Sequence, residues 1–183
     1  MSDYMVVKSR EIYKGKVISL VKESVLMPNG KVADREIIEH NGAAAMIPVD
    51  SDGKIIFVRQ YRQSAMAEVL EIPAGTIEKG EEPLDCAVRE IEEETSFKAG
   101  KITFLTKFYS AIGFCREIIY LYICEDLIQG SFNLDPDEFI KVEKYSLDEA
   151  VSMVLNGEIC DSKTIIAVLA YKQWLENKRV AEM

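Results

Sequence analysis

Apolar and polar positions alternate along most of the chain and fall into helical spacing only in its middle and at its end. Residues 4–13, 16–27 and 32–40 read as strands. Pro28-Asn29-Gly30 stands between the second and third, and Asn-Gly supplies positive φ at little cost, so a tight turn is predicted there. This N-terminal antiparallel hairpin is predicted to form a β subdomain over residues 1–41, ending at Asn41-Gly42, with a larger domain over 42–183. A lone hairpin is barely stable in water. The subdomain must therefore pack on the rest of the chain or on a second copy.

Beyond the boundary, AAAMIPV (43–49) and KIIFVRQYR (54–62) flank Asp50-Ser51-Asp52-Gly53 and predict a second hairpin. VLEIPAG (69–75) predicts a short strand. Pro83 suits a first helical turn, where its missing amide hydrogen costs little, and opens a helix to about Thr95. Strands follow at 101–109 and 117–124, joined by the loop Ser110–Arg116. The acidic stretch 133–138 leads to a strand at 139–145. Ser146 and Glu149 form an S-x-x-E capping box for a helix to about Asn156. Asp161 or Ser162 caps the last helix, with Ile165, Ile166, Val168, Leu169 and Leu175 on a broad apolar face. Strands with irregularly interspersed helices indicate an α+β fold.

Composition narrows the function classes. A chain of 183 residues with 48% hydrophobic and 29% charged positions excludes disordered, collagenous and coiled-coil classes. Charges sum to 22 − 31 = −9, and no basic run relieves that field, so no nucleic-acid partner is expected. No stretch approaches the length of a membrane span, and no signal-peptide-like apolar run precedes the first charges. Cys86, Cys115, Cys124 and Cys160 form no CxxC pair, which fits free thiols in a reducing cytoplasm. His40 is the only histidine, so a two-histidine metal site is excluded.

The chemistry lies in Gly75–Phe97, GTIEKGEEPLDCAVREIEEETSF. Glu90 and Glu94 are four apart, which puts both carboxylates on one helix face, with Glu93 beside them. Like charges at that spacing repel by a few tenths of a kcal/mol. Hard divalent cations favour such oxygen donors, and Mg²⁺ takes one or two carboxylates plus substrate phosphates. Arg89, four before Glu93, can hold that carboxylate, while Leu84, Ala87, Val88 and Ile91 are expected to bury the helix. The carboxylates alone would better suit a solvated acidic face.

The wider spacing changes that balance. From Gly75 the chain reads G-x5-E-x7-R-E-I-x-E-E-x-S-F, with Glu81, Arg89, Glu90, Ile91, Glu93 and Glu94 in place. This resembles the Nudix box, with Ser96 at the second glycine; serine there should form the turn with some backbone strain. REIIEHNGAAAMIPV, VRQYRQ and LEIPAGTIEKGE extend the resemblance to the ADP-ribose pyrophosphatase branch of the Nudix hydrolases, over nearly the whole chain. The resemblance implies a mixed sheet sandwiched between helices, a homodimer built through the N-terminal subdomain, and Mg²⁺-dependent (Mn²⁺ as possible substitute) hydrolysis of a nucleoside diphosphate derivative. ADP-ribose is the first choice, giving AMP and ribose 5-phosphate. A nucleotide sugar such as GDP-mannose, a dinucleotide, or a non-catalytic sensor of ADP-ribose-like ligands are the rival readings.

Residue by residue, the resemblance assigns Glu90, Glu94 and the carbonyl of Ala74 to the metal, with Glu138 as a further metal contact. Pro136 stands where some relatives place the general base, leaving Glu138, Asp137 or Glu93 to serve. Arg35, Glu36, Arg62, Gly113 and Glu117 match substrate-contacting positions. Arg35–Glu36 as a surface ion pair, Arg62 as a solvated strand end and Glu117 as a plain strand start are the alternatives. The branch usually carries Ser-Pro-Gly-Phe and an acidic pair after the box, but here the loop reads Ala111-Ile112-Gly113-Phe114-Cys115-Arg116-Glu117. Ile112 is expected to loosen this loop, and Arg116 to add positive charge toward the distal end of the substrate.

Overall fold

The computed structural model describes residues 3–130 and 139–181. Its elements run β1 (Met5–Lys14), β2 (Ser19–Leu26), β3 (Val32–Glu39), β4 (Ala43–Pro48), β5 (Ile55–Arg62), β6 (Ala67–Glu71), β7 (Ala74–Thr76), α1 (Pro83–Thr95), β8 (Phe97–Tyr109), β9 (Ile118–Gln129), β10 (Lys141–Tyr145), α2 (Leu147–Leu155) and α3 (Ser162–Ala181). The chain divides into two compact units. One comprises 1–42 with 108–118, the other 43–107 with 119–183.

In the first unit β1, β2 and β3 form an antiparallel three-stranded sheet. Gly30, at φ 77°, turns β2 into β3 with its amide donating to the Met27 carbonyl at 2.9 Å. The Ser110–Glu117 loop belongs to the same unit. It docks on β3: Ile38 donates to the Phe114 carbonyl at 2.7 Å, and Arg116 donates to the Ile38 carbonyl at 2.9 Å. Every residue of β1 is exposed, including Met5, Val6, Val7, Ile12 and Tyr13.

The second unit carries two sheets, ordered β7-β4-β9-β8 and β10-β5-β6. The β4–β9 pair is parallel and β4–β7 antiparallel, so the first of these sheets is mixed. All six residues of β4 are buried. Alternation sends Ala44 and Met46 to a cluster with Cys86, Ala87 and Ile91 of α1, while Ala45 and Ile47 face the opposite side. The strand is therefore covered on both faces, and α1 and α3 both pack against it. No helix among the described residues is long and apolar enough to cross a membrane.

The anticipated second hairpin does not form. β4 and β5 meet at one bridge, Val49–Ile55, and then diverge into different sheets. A tight turn still closes at Asp50, whose amide donates to Lys54 at 2.9 Å and whose carboxylate accepts from Asp52 and Lys54 at 3.0 Å each. Turn chemistry is local and correctly read; which partner a strand takes is decided by burial on both faces of β4. The α1 stripe also differs from expectation. Ala87 and Ile91 are buried, but Leu84 and Val88 are exposed and Cys86, Glu94 and Thr95 are buried instead. The helix is rotated so that Glu90 and Glu94, rather than Leu84 and Val88, lie against β7.

Helix ends follow their sequence signals. Ser146 and Glu149 make both bonds of a capping box. Asp161 rather than Ser162 caps α3, its carboxylate accepting from the Thr164 amide at 3.0 Å and hydroxyl at 2.6 Å. Ser96 ends α1 in the left-handed region, φ 63° and ψ 21°, with its amide donating to the Glu92 carbonyl at 2.9 Å. A side chain at that φ is strained. Ser96→Gly should therefore stabilise the protein by roughly 0.5–1 kcal/mol, the left-handed penalty less the extra chain entropy of glycine. A rise in the urea midpoint at unchanged slope would show it; a fall would show that Ser96 makes a stabilising contact that glycine loses.

Candidate active site

One guanidinium gathers Glu81 with two carboxylates of α1, Glu90 and Glu93. Arg89 donates from Nε and Nη2 to Glu81 at 3.0 and 3.1 Å, and from Nη1 to Glu93 at 3.0 Å and to Glu90. Its Nη2 also reaches the Thr76 carbonyl at 3.4 Å and Cys86 Sγ at 3.6 Å. Bonds to Glu81, then burial offset by Glu90 and Glu93, hold the Arg89 pKa above its ordinary value. Glu81 answers with a pKa lowered mainly by Arg89, and it also accepts from the Glu78 amide at 2.8 Å. Repulsion among Glu81, Glu90 and Glu93 is thus offset by one cation.

Glu90 lies directly over Gly75. A Cβ built on Gly75 would stand 1.8 Å from the Glu90 carboxyl carbon, so no other residue fits there without displacing Glu90. Glu94, with only 3% of its surface exposed, accepts from the Ala74 amide at 2.9 Å. Ala74, Glu90, Glu93 and Glu94 are therefore brought together at the junction of β7 and α1. Among the described residues no three His, Cys, Asp or Glu side chains close into a ready metal cage. The donor set instead fits a hard divalent cation that takes carboxylate oxygens and leaves positions for water and phosphate. Cys86, buried beside these groups, has its thiol pushed up to about 12 by burial and then by Glu81 and Glu90, so it is a packing group and not a thiolate. Glu138, Asp137 and Pro136 lie outside the described residues.

Arg62 is not a solvated strand end. It grips Glu71 through two bonds of 2.7 Å, Nε to Oε1 and Nη2 to Oε2. Glu71 is also bonded by Lys163, which reaches Asp161 at 3.0 Å. The Ile72 amide donates to the Thr164 hydroxyl at 2.9 Å, and the Met46 amide donates to the Pro73 carbonyl at 2.9 Å. The segment 71–75, which delivers Ala74 and Gly75, is thus tied to the start of α3 and to β4. Glu71, Asp161 and Lys163 were not anticipated as a group. The available signal was Glu71 itself, a charge between Leu70 and Ile72 in a buried strand, which must be paired.

The other candidates belong to the first unit. Arg35 and Glu36 are exposed on β3, and Arg35 reaches the Asp34 carbonyl at 2.9 Å and Met27 Sδ at 3.9 Å, forming no pair with Glu36. Gly113 has open space around it. Glu117 lies 3.4 Å from His40 Nδ1, which itself accepts from the Gly42 amide at 3.0 Å. Arg116 does not present a free charge. It holds both oxygens of Glu23 at 3.0 Å and also bonds Glu39.

Comparison with known proteins sets this geometry in context. Residues 39–167 match the NUDIX domain. The ADP-ribose pyrophosphatase of Bacillus subtilis (strain 168) is 42% identical over 96% of this chain and 94% of its own. The methanol dehydrogenase activator of Bacillus methanolicus is 41% identical over 88% of this chain and 89% of its own. A solved ADP compounds hydrolase, 20% identical, shares the fold with a TM-score of 0.86 over 97% of both chains.

The buried network carries a pH signature. Burial alone would raise the Glu71 carboxyl, but Arg62 and Lys163 overcome it and hold its pKa below the usual range. A folded pKa below the unfolded one gives stability that is complete above the ordinary carboxylate range and is lost as pH falls through the lowered value. Glu71→Gln should cost about 3 kcal/mol near neutral pH, since it leaves Lys163 and Arg62 without their shared carboxylate. That gap should narrow as pH falls. Urea midpoints of both proteins measured from neutral to strongly acidic pH would test this, and a gap constant with pH would remove Glu71 from the account.

Proposed function

Because the chain belongs to the Nudix family, we propose that it is a metal-dependent pyrophosphohydrolase that cleaves the diphosphate bond of ADP-ribose to AMP and ribose 5-phosphate. The observation that carries this reading is the box geometry, in which Glu90 and Glu94 lie on one helix face against Gly75 and Ala74. The similarity over nearly its whole length to an ADP-ribose pyrophosphatase supports the substrate.

Glu90, Glu94 and the Ala74 carbonyl would hold Mg²⁺, or Mn²⁺ as a substitute, which would supply neutralisation of the diphosphate charge and activation of water. The remaining work falls to the chain. Arg89 keeps Glu90 and Glu93 aimed. Glu93, or Glu138 of the acidic loop, accepts the proton of the attacking water. Arg62 keeps Nη1 beyond its two Glu71 bonds and is 41% exposed, so it can donate to a phosphate oxygen. Arg35, Glu36, Gly113 and Glu117 are substrate contacts in this reading. The bridging P–O bond breaks as water adds to phosphorus, and the leaving phosphate carries the electron pair.

The unit over 1–42 and 108–118 exposes the whole of β1 with its apolar side chains, which supports a homodimer built through this unit. The setting is the cytoplasm, the reducing compartment that four free cysteines suit.

Release of phosphate from ADP-ribose, coupled to a phosphatase, tests the activity directly, with GDP-mannose and dinucleotides as the rival substrates. Glu90→Gln and Glu94→Gln should each lower kcat by at least about 100-fold while the unfolding midpoint changes little. Rates near wild type at saturating Mg²⁺ in both variants would overturn the metal assignment. Light scattering at micromolar concentration should report twice the 20.7 kDa chain mass. A monomer would count against the dimer without touching the chemistry.

A further inference from the structure

Arg116 is the most heavily committed side chain of the Ser110–Glu117 loop, bonded to two carboxylates. Its Nη2 holds both carboxylate oxygens of Glu23 on β2 at 3.0 Å, and its Nη1 bonds Glu39 at the end of β3. Glu23 is a charged residue with only 9% of its surface exposed, so it has little water to pair with in place of Arg116. The backbone adds to the grip. Ile38 and the loop exchange two bonds, at 2.7 and 2.9 Å, with Cys115 bridged to Ile38. The loop is closed on itself by the Ser110 amide donating to the Glu117 carbonyl at 3.2 Å, and by the Phe114 and Cys115 amides donating to Ala111 at 3.1 and 2.9 Å. Ile112 stands at the far tip, 76% exposed, and contributes nothing to holding it.

We infer that Arg116 is a positioning residue for substrate specificity: by clamping Glu23 and Glu39 it fixes the loop on the β2–β3 sheet and so sets the places of Gly113 and Glu117. This rests on the substrate reading above, in which those two residues contact the nucleotide. A loop fixed before binding loses less entropy on binding, so the effect belongs to KM and not to the chemical step. Arg116 has the charge and fork geometry for the task. Lysine would offer one ammonium where two carboxylates are gripped at once.

The test pairs hydrogen exchange with kinetics on Arg116→Ala, Arg116→Lys, Glu23→Gln and the double variant Arg116→Ala/Glu23→Gln. Amides of residues 37–39 and 114–116 should exchange faster in both Arg116→Ala and Glu23→Gln, while those of 43–48 keep wild-type protection and report intact folding. KM for ADP-ribose should rise about fivefold in each with kcat within about twofold, and the double variant should be no worse than either single. Arg116→Lys should fall between wild type and Arg116→Ala. Unchanged exchange in both single variants would overturn the clamp. Faster exchange with unmoved KM, or a loss confined to kcat, would overturn its role in specificity. A wild-type protein inert toward ADP-ribose would count against the substrate reading alone, and the exchange comparison would still decide whether the clamp exists.

Discussion

One arginine makes the acidic helix possible. Glu81, Glu90 and Glu93 all lie within bonding distance of Arg89, and without a shared cation they would repel one another. A guanidinium is the only side chain that can serve three carboxylates in a fixed plane. Its cost to the fold is small because its head stays partly exposed, at 30%. The consequence reaches past α1. Glu90 can lie against Gly75 only because Arg89 holds it there and because position 75 has no side chain. The helix is then rotated so that Leu84 and Val88, which would otherwise anchor it, remain in solvent. Packing has yielded to the placement of charge.

The same logic recurs where β6 passes into β7. Glu71 would be unfavourable in its strand without Arg62 and Lys163, yet once paired it ties the segment ahead of Gly75 to the start of α3. Thr164 completes that tie by accepting from the Ile72 amide and donating to Asp161. Buried ion networks are weak evidence for stability, since well-packed apolar groups often do as well. Their value here is directional. The network fixes where Ala74 and its amide point, and that amide is the one that Glu94 accepts.

What could be read from the residues depended on the range of the interaction. Caps, turns and the limits of α1 follow from neighbours one to four positions apart, and Pro83–Thr95, the Ser146–Glu149 box and the Gly30 turn all stand as expected. So does the strain at Ser96, because φ above zero is a property of one residue. Strand partnership is different. AAAMIPV and KIIFVRQYR look like a hairpin in isolation, and only the burial of β4 on both faces explains why they part. Within the site, Glu90, Glu93 and Glu94 were legible from helical spacing, whereas the pairing of Glu71 with Arg62 and Lys163 joins residues 9 and 92 positions apart. No local pattern encodes such a distance.

Arg116 shows how a charge is misjudged when only its sign is known. From the loop sequence it adds positive potential, a feature suited to an anionic ligand. In the fold that charge is spent on Glu23 and Glu39, both of the same unit. Glu23 is also the cross-strand neighbour of Arg35 in the β2–β3 register, and neighbours in register project from the same face. Two arginines therefore have access to one buried carboxylate, and Arg116 is the one that takes it. Arg35 is left bonded to a backbone carbonyl and a sulfur, neither of which carries a formal charge. The net result is a cation on an exposed strand whose charge no carboxylate among the described residues neutralises. In a protein of net charge −9, such a cation is a local exception to the overall negative field.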